Sequence, residues 1–264
     1  MEASMLADLR KLPDYRELIV NFTLREIKAK YKQALLGIAW AIIQPVVLMA
    51  MLTVVFSYFA RVPSDGFPYP LFLFAALLPW QFFSGALNRG ASALTNQAAL
   101  ITKIYFPRES LVLAALAAAL VDFAITALVF IALLFYYRVV PTASWLWIVP
   151  ILVAQITFAL GVMLFLAPLN AFYRDVGQAM PLAIQVWMYA TPIMYPASLV
   201  PQSIRPYYFL NPMAVFIESY RSAILRNETP DMSLLITATV VSILVLVAGY
   251  GTFKRMEKGL ADVA

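Results

Sequence analysis

Six mostly apolar stretches follow one another along the chain, at about 35–60, 69–94, 110–136, 145–169, 178–197 and 232–253. Each is long enough to cross a hydrocarbon core of roughly 30 Å as a helix. Helix is the expected form, because backbone polar groups inside a bilayer must be paired within their own segment. Clusters of proline and polar residues separate the stretches: Pro63 to Pro68, Lys103 to Arg108, Arg138 to Ser144, Arg174 to Gly177 and Thr229 to Asp231. The predicted fold class is an all-α membrane protein with six transmembrane helices. An amphipathic segment, residues 1–34, precedes the transmembrane domain of residues 35–264.

Composition agrees with lipid as the solvent. Of 264 residues, 63% are hydrophobic and 12% are charged, about half the charged share of a soluble domain. There is no Cys and no His, which excludes a thiol nucleophile, a His-based triad and the usual zinc ligands. The N-terminal 33 residues are charged and lack the apolar core of a cleavable signal peptide. No Walker A loop and no G-x-G-x-x-G motif occurs.

Orientation follows from Lys and Arg. With six crossings, fourteen fall on the side holding both termini, counting Arg89, Lys103, Arg108 and Arg174 in the loops; five fall opposite, at Arg61, Arg138, Arg205, Arg221 and Arg226. Both termini are therefore predicted to be cytoplasmic. A seventh span across Tyr207 to Leu225 would break this balance and would hold Asn211-Pro212, Glu218 and Arg221. That stretch is instead expected to dip into the outer leaflet as one or two short helices and return, as a candidate outer gate; the plainer alternative is a helix lying on the membrane surface.

Residues 14–33 are amphipathic. Tyr15, Leu18, Ile19 and Phe22 share one helical face and Val20, Leu24, Ile27 and Tyr31 another. Thr23 with Glu26 fits a capping box, so two helical pieces are expected, the first in the cytoplasmic interface. Arg25, Lys28, Lys30 and Lys32 are candidates for holding anionic lipid or a lipid-linked phosphate, or are simple topology charge. The loop Ile101-Thr102-Lys103-Ile104-Tyr105-Phe106-Pro107-Arg108-Glu109 mixes apolar and charged residues. Its composition suits docking into a groove on a partner and equally suits an interfacial helix.

Asp122 lies near the middle of the third span, where charge is costly and must face protein or water. A packing hydrogen bond and a proton relay both fit, although no clear chain of acidic partners accompanies it in other spans. Aromatic Trp40, Phe56, Trp187 and Tyr189 could line a path for sugar rings or belong to the interfacial belt. Prolines 45, 79, 168, 181 and 192 are expected to kink their spans.

Several segments, in this order, resemble the permease subunits of type-2 ABC exporters for polysaccharides, the Wzm, KpsM and TagG group. They are Leu36-Gly37-Ile38-Ala39-Trp40 with Gln44-Pro45, Pro79-Trp80-Gln81-Phe82-Phe83, Lys103 through Glu109, Phe172-Tyr173-Arg174-Asp175, Thr191 through Pro196, and Asn211-Pro212-Met213 with Glu218 and Tyr220-Arg221. The likeness runs from about Thr23 to Met256. Tyr173 stands where the family often has Phe, which preserves the ring.

The resemblance implies a homodimeric pore in the bacterial inner membrane, most like that of an O-antigen exporter. Each copy would dock a separate ATP-binding subunit, two in all, and the cargo would be lipid-linked polysaccharide. It implies a coupling helix at about 96–109, with Ile101, Thr102, Lys103, Tyr105, Arg108 and Glu109 as coupling residues. It also implies an interface helix at about 14–30 and periplasmic gate helices at about 199–225, with Asn211, Pro212, Glu218 and Arg221 as gate residues. The first and fifth spans, carrying Trp40, Phe56, Trp187 and Tyr189, would line the glycan path. No cofactor or metal is expected in this chain, ATP and Mg being held by the partner, and no nucleic acid is expected. A capsule or teichoic acid exporter, a membrane enzyme acting on lipid-linked glycans and a proton-coupled carrier are the competing expectations.

Overall fold

A computed structural model of the chain describes residues 15–32, 37–101, 106–257 and 259. Among the described residues there is helix and no strand. The principal helices are α1 (Arg16–Tyr31), α2 (Trp40–Thr53, extended by a wider π-type turn over Val54–Phe59), α3 (Tyr69–Ser92), α4 (Glu109–Tyr136), α5 (Ile148–Phe172), α6 (Asp175–Tyr189), α7 (Pro212–Arg221, extended by a π-type turn over Ser222–Arg226) and α8 (Met232–Glu257).

Among the described residues, five helical stretches are long and apolar enough to cross a membrane: Trp40–Phe59, Tyr69–Ser92, Glu109–Tyr136, Ala143–Phe172 and Met232–Glu257. They overlie five of the six predicted stretches. The sixth, predicted at 178–197, is helical only to Tyr189. At 15 residues, α6 rises about 22 Å, short of a hydrocarbon core of roughly 30 Å. The physical reason lies just beyond it. Pro192 cannot donate to a continuing helix and disfavours helical backbone at Thr191. Residues 190–195 accordingly run as turns and bends.

Helix α3 is the centre of the bundle. Every side chain from Leu71 to Trp80 is buried, against α4, α5, α6, α7 and α2. Ring contacts fasten it on two sides: Phe74 stacks on Phe130 of α4 at 5.8 Å and Phe83 on Phe158 of α5 at 5.4 Å. Pro79 interrupts the ladder of α3, and its carbonyl accepts a bond from Gln155 Nε2 of α5 at 2.7 Å. The Gln155 carbonyl in turn accepts from the Tyr220 hydroxyl of α7 at 3.1 Å. A fully buried amide is thus satisfied by two other helices, as low-dielectric surroundings require.

Helices α5 and α8 pack along their length, and glycine permits it. A Cβ on Gly161 would lie 2.6 Å from the Leu246 amide nitrogen, and one on Gly249 would overlap the Gly161 carbonyl. In lipid, helix association depends on such close packing rather than on removal of apolar surface from water. Elsewhere the bundle turns apolar side chains outward, among them Met51, Leu128, Phe135, Val149, Ile236 and Leu244, a surface suited to acyl chains.

Helix α1 is one continuous helix, not two pieces. Tyr15, Leu18, Ile19, Phe22, Thr23, Glu26, Ile27 and Tyr31 form its inner face, whereas Val20 and Leu24 are exposed. The Thr23 hydroxyl donates to the Ile19 carbonyl at 2.7 Å, a mid-helix bond rather than a cap.

Candidate functional site

The candidate features lie at three levels of the bundle. At the foot of α3 and α4 the chain passes through a short helix, Ala98–Ile101, after a 3₁₀ turn at Thr95–Gln97. Of the expected coupling residues, Thr102, Lys103 and Tyr105 lie outside the described residues. Ile101 is buried. The return from the loop is bolted to the rest of the protein. Phe106 packs on Phe22 of α1 with ring centroids 5.9 Å apart. Arg108 Nη1 donates to the Glu257 carbonyl at the end of α8. Glu109, 2% exposed, pairs with Lys254 of α8 at 3.0 Å, and Lys254 also reaches Glu257 at 3.0 Å. Arg108 and Glu109 therefore face inward and tie the loop to the last helix.

One level up, Asp122 of α4 is the hub of an ionic cluster. It receives Lys30 Nζ at 2.7 Å and the Tyr31 hydroxyl at 2.6 Å, both from the end of α1, and pairs with Arg89 of α3. Burial, followed by the hydrogen bond to the Asp122 carboxylate, raises the Tyr31 phenol well above its ordinary pKa, so it remains a donor. Side-chain exposures of 21% for both Arg89 and Asp122 place their pairing between the surface and buried limits. Beside the cluster is a cavity of about 330 Å³, walled by α2, α3 and α4. Gln44, Gln81, Ser84, Asn88 and Thr126 give it a polar lining, with Lys30, Arg89 and Asp122 at one side. The four basic residues expected to act together on α1 are thus divided. Lys30 joins the cluster, while Arg25, Lys28 and Lys32 line a shallow cleft on the exposed face of the helix.

At the opposite end, α7 and its cap Asn211 carry the expected gate residues, whose polar side chains bond neighbouring segments. Arg221 is 1% exposed. Its Nη1 donates to the Pro192 carbonyl at 2.6 Å and its Nη2 to the Ile193 carbonyl at 2.8 Å and the Phe72 carbonyl at 3.4 Å. The guanidinium carbon stands 3.6 Å from the Phe72 ring centroid, a cation–π contact. Glu218 Oε1 accepts from Arg226 at 2.6 Å. Asn211 caps α7 by accepting the Met213 amide at 3.1 Å, accepts Trp187 Nε1 at 3.0 Å and donates to the Thr191 hydroxyl at 3.0 Å. Pro212, at the first turn of α7, is buried. Residues 199–210 differ: Leu199, Ile204, Tyr207 and Leu210 are exposed. Tyr208 bonds the Tyr195 hydroxyl at 3.0 Å, and burial with that bond raises its pKa.

The aromatic candidates also separate. Trp187 is enclosed by Trp80, Phe83 and Phe158, with centroids at 6.5, 5.0 and 6.1 Å. Phe56 is half-buried. Trp40 and Tyr189 are 40% and 56% exposed.

Two residues of this machinery escape a reading of single spans. Arg89 counts as a topology charge at the end of its span, yet it is the counter-ion of Asp122. Lys254 counts likewise, yet it is the counter-ion of Glu109.

The helices, their outward apolar surface and the charges paired within the bundle define a multi-pass membrane protein. The chain belongs to the ABC-2 type transporter family, whose profile matches residues 17–225. It is 30% identical to the O-antigen export system permease protein RfbA of Myxococcus xanthus, over 98% of this chain and 99% of that one. It is 28% identical to a Klebsiella pneumoniae protein of the same name, over 94% and 95% of the two chains. Similarity to the polysialic acid transport protein KpsM of Escherichia coli reaches 23% identity over 87% and 90%.

Proposed function

We propose that this chain is the membrane-spanning permease subunit of an ATP-driven exporter that moves lipid-linked polysaccharide, O antigen in particular, across the bacterial inner membrane. The observation that carries it is end-to-end similarity to proteins named as O-antigen export permeases. A capsule exporter is the second reading, favoured by the weaker similarity to KpsM.

In this reading α6 and the non-helical residues after it complete a sixth crossing, which returns both termini to the cytoplasm. Two copies enclose the path. The largely uncovered faces of α2 and α6 support this, with Met51, Val54, Leu182 and Val186 exposed in the single chain. Trp40 and Tyr189 offer ring faces to passing sugars, Trp187 backs the wall, and Phe56 lies further along α2. A separate ATPase binds ATP and Mg and engages the loop at about 96–109, including Thr102, Lys103 and Tyr105. Displacement there reaches α4 and α8 together, because Glu109–Lys254 and Arg108–Glu257 join them. Arg25, Lys28 and Lys32 on the exposed face of α1 attract the anionic head of the lipid carrier. The segment from 199 to 225 closes the outer mouth, its exposed half moving and its buried half, α7, holding. This subunit performs no bond chemistry.

Deletion of the protein tests the proposal. Lipid-linked glycan should accumulate in the cytoplasmic leaflet while one surface polymer disappears, and the polymer lost distinguishes O antigen from capsule. Unchanged surface polysaccharide with no accumulated intermediate would refute the exporter reading.

A further inference from the structure

Helix α1 is held against the bundle in a defined register. Thr23 Oγ1 lies 3.5 Å from the Ala114 carbonyl, and the Tyr31 hydroxyl bonds Asp122 at 2.6 Å. Both pairs are separated by 91 residues. Helices α1 and α4 therefore run parallel over about two turns. Along the inner face the contacts are apolar or half-buried, from Leu18 and Phe22 upward. The charged contacts are concentrated at the last turn, where Lys30 and Tyr31 meet Asp122. Lys30 is also part of the wall of the polar cavity between α2, α3 and α4.

The bonding of Asp122 is divided in a telling way. Arg89 alone gives it a counter-ion within the bundle, so α3 and α4 do not need α1 for charge balance. Lys30 and Tyr31 add a second, separable set of bonds that fixes only α1. Lys30 is 40% exposed, so its pairing lies near the weak, surface limit. Tyr31 is buried, 8% exposed, and adds one hydrogen bond to the same carboxylate, so two side chains supply the polar hold on this end of the helix.

We propose that Lys30, Tyr31 and Asp122 form a releasable clasp that holds the end of α1 as the removable side wall of the polar cavity. Asp122 is its positioning residue, and Arg89 keeps the bundle neutral when the clasp opens. Opening the clasp swings Lys30 away from Gln81, Ser84 and Asn88 and exposes those polar groups to the inner face. The proposal concerns the position of α1 and does not depend on which polymer is carried.

The natural absence of cysteine makes the test direct. Single cysteines are placed at Leu18 beneath α1, at Ser84 in the cavity and at Met163 in the bundle core, which is 0% exposed. Each is combined with the clasp variant Lys30→Met/Tyr31→Phe, in which Asp122 keeps Arg89. Labelling by a membrane-impermeant maleimide is followed in inverted membrane vesicles holding the full chain. The clasp predicts labelling at positions 18 and 84 at least tenfold faster than without the clasp substitutions, as expected for losing two hydrogen bonds to an ionised carboxylate, the one from Lys30 discounted for its exposure. Position 163 should stay protected. Asp122→Asn should accelerate positions 18 and 84 at least as much. Equal rates at 18 and 84 with and without the substitutions would overturn the proposal. So would labelling at 163 that rises in step with them, since the cluster would then be a general folding element. Export is not measured, so a wrong assignment of cargo leaves the result intact.

Discussion

Replacing Arg221 by Met removes the donor that holds the outer end of the bundle together. The guanidinium makes two short bonds, to the carbonyls of Pro192 at 2.6 Å and Ile193 at 2.8 Å, and a longer one to Phe72. The Pro192 and Ile193 carbonyls belong to backbone that Pro192 has taken out of helical pairing, so no amide is ready to replace the lost donor. Each buried carbonyl left unsatisfied costs about 1–3 kcal/mol. Glu218 is not stranded, because Arg226 still pairs with it at 2.6 Å. Methionine fills much of the volume and restores some dispersion contact with Phe72. Taking the two short bonds at the middle of that range and allowing for the packing recovered, the net loss is about 3 kcal/mol. At roughly 2–4 °C per kcal/mol for a chain of this size, the midpoint of thermal unfolding falls by about 6–12 °C. Fluorescence-detected melting of the detergent-purified protein measures it, with Arg221→Lys retaining part of the loss because a single ammonium cannot span both carbonyls. A Met variant that melts within 1 °C of the parent would refute the assignment of Arg221 as a backbone clamp.

Other substitutions probe the remaining levels. Gly249→Ala drives a methyl into the Gly161 carbonyl and should cost about 1–3 kcal/mol; melting reads it, and Gly251→Ala, whose Cβ meets nothing within 4 Å, is the matched control with little effect. Lys254→Met leaves the buried Glu109 without its cation, so stability should drop by about 2–4 kcal/mol, and a Glu109→Gln/Lys254→Met pair should recover much of it; failure of the pair to recover would exclude a direct ion pair. Asn211→Ala removes both the cap of α7 and the partner of the Trp187 indole. A loss of about 1–2 kcal/mol should accompany a change in tryptophan emission, and unchanged emission would contradict the contact.

The spans were the most legible part of the chain, because a run of apolar residues bounded by Pro and charge is a local signal. Five of the six predicted stretches coincide with long apolar helices. The stretch at 178–197 is helical only to Tyr189, because hydropathy does not register that Thr191-Pro192 ends the helix. Helix α1 departs from expectation in a different way. Two apolar faces were visible, but only contact with α4 decides which one is buried. The charged residues were legible as unusual and illegible as to purpose. Among the described residues Asp122 has no acidic partner in the other spans, and its partners are the bases Lys30 and Arg89, 92 and 33 residues away. Arg221 reaches Phe72 across 149 residues, a distance at which periodicity carries no information.

The glycine contact between α5 and α8 has a mechanical consequence. Where two backbones touch directly, no side chain intervenes that could change rotamer to accommodate sliding, so the pair resists shear as a rod does. In the proposed export cycle these two helices move as one rigid pillar, and displacement delivered to the foot of α8 through Lys254 is carried along its whole height.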